Sequence, residues 1–153
     1  MTIKYFDDFI IGERETIGSY TVDKDEVIEF SKLWDPQPFH VDEEAAKASH
    51  LKGIIAPFGY TMGIVIRLAH QNGMDVSTAG GLGIDEVRFP LPVRPGNRIT
   101  VVRECVLARD SDSMPDYGIL TLKMEVTNQH GDIVLTYKVT MLAEKRPEIQ
   151  VRQ

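Results

Sequence analysis

The feature that most constrains this 153-residue chain is a pair of alternating runs in its last third. Leu120, Leu122, Met124 and Val126 recur at every second position, as do Ile133, Leu135, Tyr137, Val139 and Met141. A period of two puts each set on one face of an extended strand. Residues 128–132, with Gly131, make a hairpin-length connection, so the runs are expected to pair antiparallel. Two more extended stretches precede them, at 81–89 and 98–109. Pro92, Pro95 and Gly96 mark the loop between those two, and residues 111–116 the next one.

The first half reads differently. Residues 17–22 fit a short strand, and Asp23 with Glu26 three positions on fits a capping box opening a helix. Val27, Phe30, Ser31 and Trp34 share one face of that helix, and Pro36 ends it. Asp42 is placed to cap a second, short helix through Ala48, with Glu43 and Glu44 favourable in its first turn. A longer helix is predicted over 57–72, with Pro57 in its first turn and Gly73 as its stop. Phe58, Met62, Ile64, Val65, Ile66, Leu68 and Ala69 leave it apolar on most sides, the mark of a buried helix. Gly59 and Gly63 lie on one face, where close packing against a sheet is expected. A long buried helix followed by an antiparallel meander predicts an α+β fold in one domain, 1–153, with a curved sheet wrapped around the helix.

Composition narrows the partners. The apolar share of 42% and charged share of 26% are those of a soluble globular protein. A net charge of −6 argues against a nucleic-acid surface, which needs a basic patch. The most apolar stretch, 54–69, is interrupted by Arg67 and is short for a membrane span. The acidic start does not read as a secretion signal, and the lone Cys105, inside an apolar alternation, reads as a buried structural thiol. Together these point to a reducing cytoplasm. His40, His50, His70 and His130 show no metal-ligand spacing; His50 and His70 fall near helix ends, and His130 in the hairpin.

Chemistry concentrates in Asp35-Pro36-Gln37-Pro38-Phe39-His40-Val41-Asp42. Each proline fixes its own φ and pushes the preceding residue toward extended geometry, so the segment is expected to be a non-helical loop. It would present a carboxylate and an imidazole, a general acid/base couple able to hold one water between them. A turn carboxylate beside a hydrogen-bonded loop histidine would read the same way.

With this layout, the motif resembles that of the MaoC-like dehydratases, relatives of the (R)-specific enoyl-CoA hydratases of hot-dog fold. The family motif runs Asp-x-Asn-Pro-aliphatic-His-x-Asp. The likeness continues at Gly53-Ile54-Ile55-Ala56, at Gly81-Leu82-Gly83, through Arg88-Phe89-Pro90-Leu91-Pro92-Val93-Arg94-Pro95-Gly96, and at Asn128-Gln129-His130-Gly131. The resemblance implies reversible addition of water to a trans-2-enoyl thioester, with CoA thioester as substrate and no separate cofactor. It gives Asp35 and His40 the catalytic positions and Gln37 that of the ordering asparagine. A glycine at the head of the central helix commonly offers its N–H to the thioester oxygen. Here Ala56-Pro57-Phe58-Gly59 leaves Phe58 or Gly59 as donor, because Pro57 has no N–H. Trp34 stands where a glycine often precedes the aspartate. Arg94, with Arg88, Arg98 and Lys52, is a candidate phosphate contact. Phe58, Tyr60 and Trp34 would crowd the site and favour a short acyl group. Edge-to-edge pairing into a homodimer is also implied. The nearest rivals are a hot-dog thioesterase, which often has an acid on the central helix where residues 57–72 have none, and a non-catalytic acyl-thioester-binding subunit.

Overall fold

The alternating runs become strands close to where their periodicity puts them. The structure, a computed structural model, describes residues 2–148; the two ends of the expected 1–153 unit lie outside the described residues. In chain order come β1 (Arg14–Thr21), α1 (Lys24–Trp34), α2 (Pro38–Val41), α3 (Glu43–Ala48), α4 (Phe58–Gln71), β2 (Thr78–Arg88), β3 (Arg98–Asp110), β4 (Tyr117–Thr127) and β5 (Ile133–Glu144). The five strands form one antiparallel sheet in the order β1-β3-β4-β5-β2. Leu120, Leu122, Val126 and Leu135 from the sheet join Ile64, Val65 and Leu68 of α4 in one buried cluster. This is the hot-dog fold, with an α+β chain closing its sheet on a central helix.

Several local expectations are corrected. Pro38–Val41 forms a helical turn rather than loop, with Pro38 in its opening positions. Proline forbids helix interiors but suits a helix start, where its missing N–H would be unpaired anyway. Asp23 caps α1 by accepting from the Glu26 N–H at 2.9 Å, but the Glu26 carboxylate completes no capping box. It accepts instead from the hydroxyls of Tyr20 and Tyr60. Pro57 is the N-cap of α4, one residue before its first turn.

The central helix is not buried all round. Tyr60, Thr61, Ile64, Val65 and Leu68 are buried, while Phe58 and Ile66 are exposed. Its glycines do not meet the sheet: a side chain on Gly59 would touch the Phe30 ring of α1 at 3.5 Å, and one on Gly63 would meet open space. Cys105 is buried as expected, and burial pushes its thiol up.

One glycine is set by packing rather than by backbone torsion. The Phe6 ring of the N-terminal turn Phe6–Asp8 packs against Gly118 in β4, where any Cβ would overlap it. Gly118→Ala is therefore expected to expel Phe6 and destabilise the fold by about 1–3 kcal/mol, the usual range for overpacking. Urea denaturation checks this; an unchanged midpoint would show that the ring is not a packed element.

Candidate active site

The Asp35–His40 segment is held by its neighbours at three points. Asp35 is the C-cap of α1, its N–H donating to Ser31 O. On α2 two residues bond to the stretch that leads into α4: Ile55 N–H donates to Phe39 O at 3.2 Å, and His40 Nδ1 lies 2.6 Å from Ile55 O. Ala56 N–H then donates to Val93 O at 2.7 Å. The start of α4 and the imidazole are thereby fixed to one strap.

That strap also decides the histidine tautomer. A carbonyl oxygen only accepts, so Nδ1 carries a proton and, in the neutral ring, Nε2 offers its lone pair. Nε2 sits 3.5 Å from Asp35 Oδ2, and the imidazole is almost fully buried while the carboxylate is 27% exposed. The other carboxylate oxygen accepts from Gln37 Nε2 at 2.9 Å. Two acceptors, Oδ2 and Nε2, therefore converge, an arrangement suited to a group that donates to both. A water is the simplest such group.

Asp35, Gln37 and His40 open into a cavity of about 430 Å³. Its remaining walls are mostly apolar, from Phe39, Leu51, Ile55, Phe58, Phe89, Leu91, Val93 and Leu135. The rings of Phe58 and Phe89 stand 5.5 Å apart, and both are about half exposed at the rim. At the cavity end of α4, Tyr60 and Thr61 donate their N–H groups to Pro57 O, and Pro57 supplies no side-chain cap. The N–H groups of Phe58 and Gly59 have no acceptor among the described residues. A helix start with free N–H groups favours negative charge.

The cavity brings together four of the six residues singled out in the sequence: Asp35, His40, Gln37 and Phe58. Gly59 is adjacent but does not line it, and an added side chain there would touch the Phe30 ring. Arg94 lies behind the strap, donating from Nη2 to Leu51 O at 2.5 Å and lining a separate groove with Lys24, Lys47 and Lys52. Trp34 is largely exposed and lines no part of the cavity, and Tyr60 turns away to Glu26 and Phe30. Of the three bulky residues expected to shorten the acyl group, only Phe58 reaches the site. Thr61 also lines the cavity, a residue the sequence motif does not mark although it stands three residues after Phe58 on the same helical face. Among the described residues, no three His, Cys, Asp or Glu side chains gather as metal ligands, and no helix is long and apolar enough to cross a membrane.

Fold and cavity define a hot-dog protein with an acid–imidazole site at the head of its central helix. Residues 10–128 match the model of the MaoC like domain, and the chain belongs to that family. Among its relatives is the uncharacterized protein YdeM of Bacillus subtilis, 29% identical over 91% of this chain and 98% of that protein. The 3-hydroxyacyl-thioester dehydratase Z of Mycobacterium tuberculosis is 34% identical over 59% of this chain and 62% of its own. The crystal structure of a MaoC-like dehydratase from Rhodospirillum rubrum superposes with a TM-score of 0.86 at 31% identity, covering 95% of this chain and 99% of that one.

Proposed function

We propose that this protein is a hydro-lyase that adds water reversibly across the double bond of a trans-2-enoyl thioester, with acyl-CoA as the carrier form. The observation that carries this reading is the convergence of Asp35 Oδ2 and His40 Nε2, 3.5 Å apart, on one cavity with the free end of α4. A water donating to both acceptors has a lone pair left to attack the carbon β to the carbonyl. As the C–O bond forms, the double-bond electrons move onto the thioester oxygen, where the N–H groups at the start of α4 meet the charge. Such a preorganised donor typically contributes about 3 kcal/mol. The Asp35–His40 pair takes one water proton and returns a proton to the α carbon, so the net change is one water added. Asp35 and His40 are assigned the chemistry, Gln37 the orientation of Asp35, and Phe58 or Gly59 the backbone oxyanion donor. The thioester is its own electrophile, so the reaction as written calls on no metal or redox cofactor. Arg94 is assigned to the carrier phosphates only through its basic groove. A reducing cytoplasm suits the free thiol of Cys105. The thioesterase reading lacks the acid it would want on α4, since Phe58–Gln71 has neither Asp nor Glu. Decay of enoyl absorbance with crotonyl-CoA and longer enoyl-CoA thioesters tests the proposal; hydrolysis to free CoA without hydration would replace it with thioester cleavage.

The same reading includes a homodimer. β2 is an edge strand whose only neighbour among the described residues is β5, and all its residues but Val87 are exposed, Leu82 and Ile84 among them. An open apolar edge invites a second strand. Pairing of two β2 edges would cover it and shelter the rim formed by Phe58 and Phe89. Light scattering is expected to give a dimer for the native chain and a monomer for Leu82→Asp/Ile84→Asp. A native monomer would remove this part of the proposal.

A further inference from the structure

The cavity holds one polar side chain that the chemistry above leaves unused. Thr61 is 2% exposed and lines the cavity beside Phe58 and His40. Its hydroxyl makes no hydrogen bond among the described residues. Among the described residues no fully buried side-chain oxygen or nitrogen lacks a partner, so this hydroxyl keeps some open surface, and Thr61 lines the cavity. The contrast with α1 is informative. There the buried Ser31 hydroxyl turns back and donates to Val27 O at 2.6 Å, the usual resting place for a helical hydroxyl. Thr61 has the same option toward Pro57 O but does not take it, and that oxygen already accepts from two N–H groups.

Position explains what the free hydroxyl can reach. Thr61 is the fourth residue of α4. Helical side chains tilt toward the N-terminus and cover the preceding turn. Its hydroxyl therefore lies over the turn that begins with the free Phe58 N–H. Gly59 carries the other free N–H, yet it lines no part of the cavity. Resting on the hydration reading above, we infer that the Thr61 hydroxyl is the second oxyanion donor, meeting the thioester oxygen together with the Phe58 N–H. Pro57 sits where a backbone donor would otherwise be available, so the side chain supplies what the backbone lacks.

Two measurements separate this inference from the reading beneath it. Thr61→Val keeps the shape and removes the hydroxyl; Thr61→Ser keeps the hydroxyl. Thr61→Val is expected to lower kcat about 100-fold, in line with loss of one oxyanion donor. KM and the pH profile should hold, and Thr61→Ser should recover most of the rate. The second readout does not need turnover. In an Asp35→Asn background, bound 2,4-hexadienoyl-CoA should absorb at longer wavelength because its carbonyl is polarised. Adding Thr61→Val should remove much of that shift while the probe stays bound, and Thr61→Ser should restore it. An equal shift with and without the hydroxyl overturns the role of Thr61 and leaves hydration standing. Failure of every variant to bind the probe, together with no hydration by the native chain, overturns the thioester reading and the inference with it. Should Thr61→Val fail to fold, Thr61→Ala makes the same comparison.

Discussion

Asp35→Asn is expected to lower hydration of an enoyl thioester by roughly 100- to 10,000-fold, the range over which general acid–base groups act. The fold should not change. An asparagine oxygen can still accept from Gln37 Nε2, now at 2.9 Å from Asp35 Oδ1, and the residue's backbone capping of α1 does not use the side chain. The chemistry fails for a specific reason: the asparagine NH₂ would point at His40 Nε2, donate to it, and fill the acceptor that the attacking water needs. Asp35→Asn/His40→Ala should then be hardly slower than Asp35→Asn alone, because groups acting as a unit are not additive. Steady-state rates on crotonyl-CoA decide the matter. Retention of full activity in Asp35→Asn would move the chemistry to another residue and leave the pair as a structural contact.

The parts of the fold legible in the sequence are those governed by period. β4 fills the span 117–127 left between the two expected loops, β3 runs one residue past the expected 98–109, and β5 starts directly after the 128–132 connection, because half-buried strands alternate strictly. β2 starts three residues before the expected 81–89 stretch. Its Gly80, Gly81 and Gly83 and three register shifts against β5 erase the alternation. What period could not show was direction. The apolar residues of α4 did not reveal that Phe58 and Ile66 face outward, because an apolar side chain looks the same at a core, a cavity rim or an interface. The Asp35–His40 spacing named the pair, but it did not show the Ile55 carbonyl that sets the imidazole tautomer. That bond joins residues 15 positions apart, with backbone on one side. Arg94 carried a charge that suggested phosphate, whereas its geometry is that of a clamp on two carbonyls.

The largest expected loss of stability lies far from the active site. Arg103 on β3 is a nearly buried cation, with 4% of its side chain exposed. Its Nε and Nη2 donate to Glu15 Oε1, Nη1 donates to Met74 O, and its guanidinium lies 5.3 Å from the centre of the Phe9 ring. Lys4 engages the other Glu15 oxygen. Glu15→Ala strands the buried guanidinium with one carbonyl and a ring, and is expected to destabilise the protein by about 3 kcal/mol at neutral pH. Burial alone would raise the Glu15 carboxyl, but hydrogen bonds from Lys4 and Arg103 outweigh it and hold the group below its ordinary value. A depressed carboxyl stabilises the fold fully above its unfolded pKa, and that contribution fades as pH falls through the folded value. The gap between native and Glu15→Ala should therefore be widest above about pH 5 and close progressively below about pH 4, where the unfolded carboxyl takes up its proton. Urea denaturation of both proteins from neutral pH to about pH 3 follows the gap across the Glu titration range. A gap that stays constant across this range would mean that the carboxylate charge is not what holds Arg103, leaving shape and packing as the source of the loss.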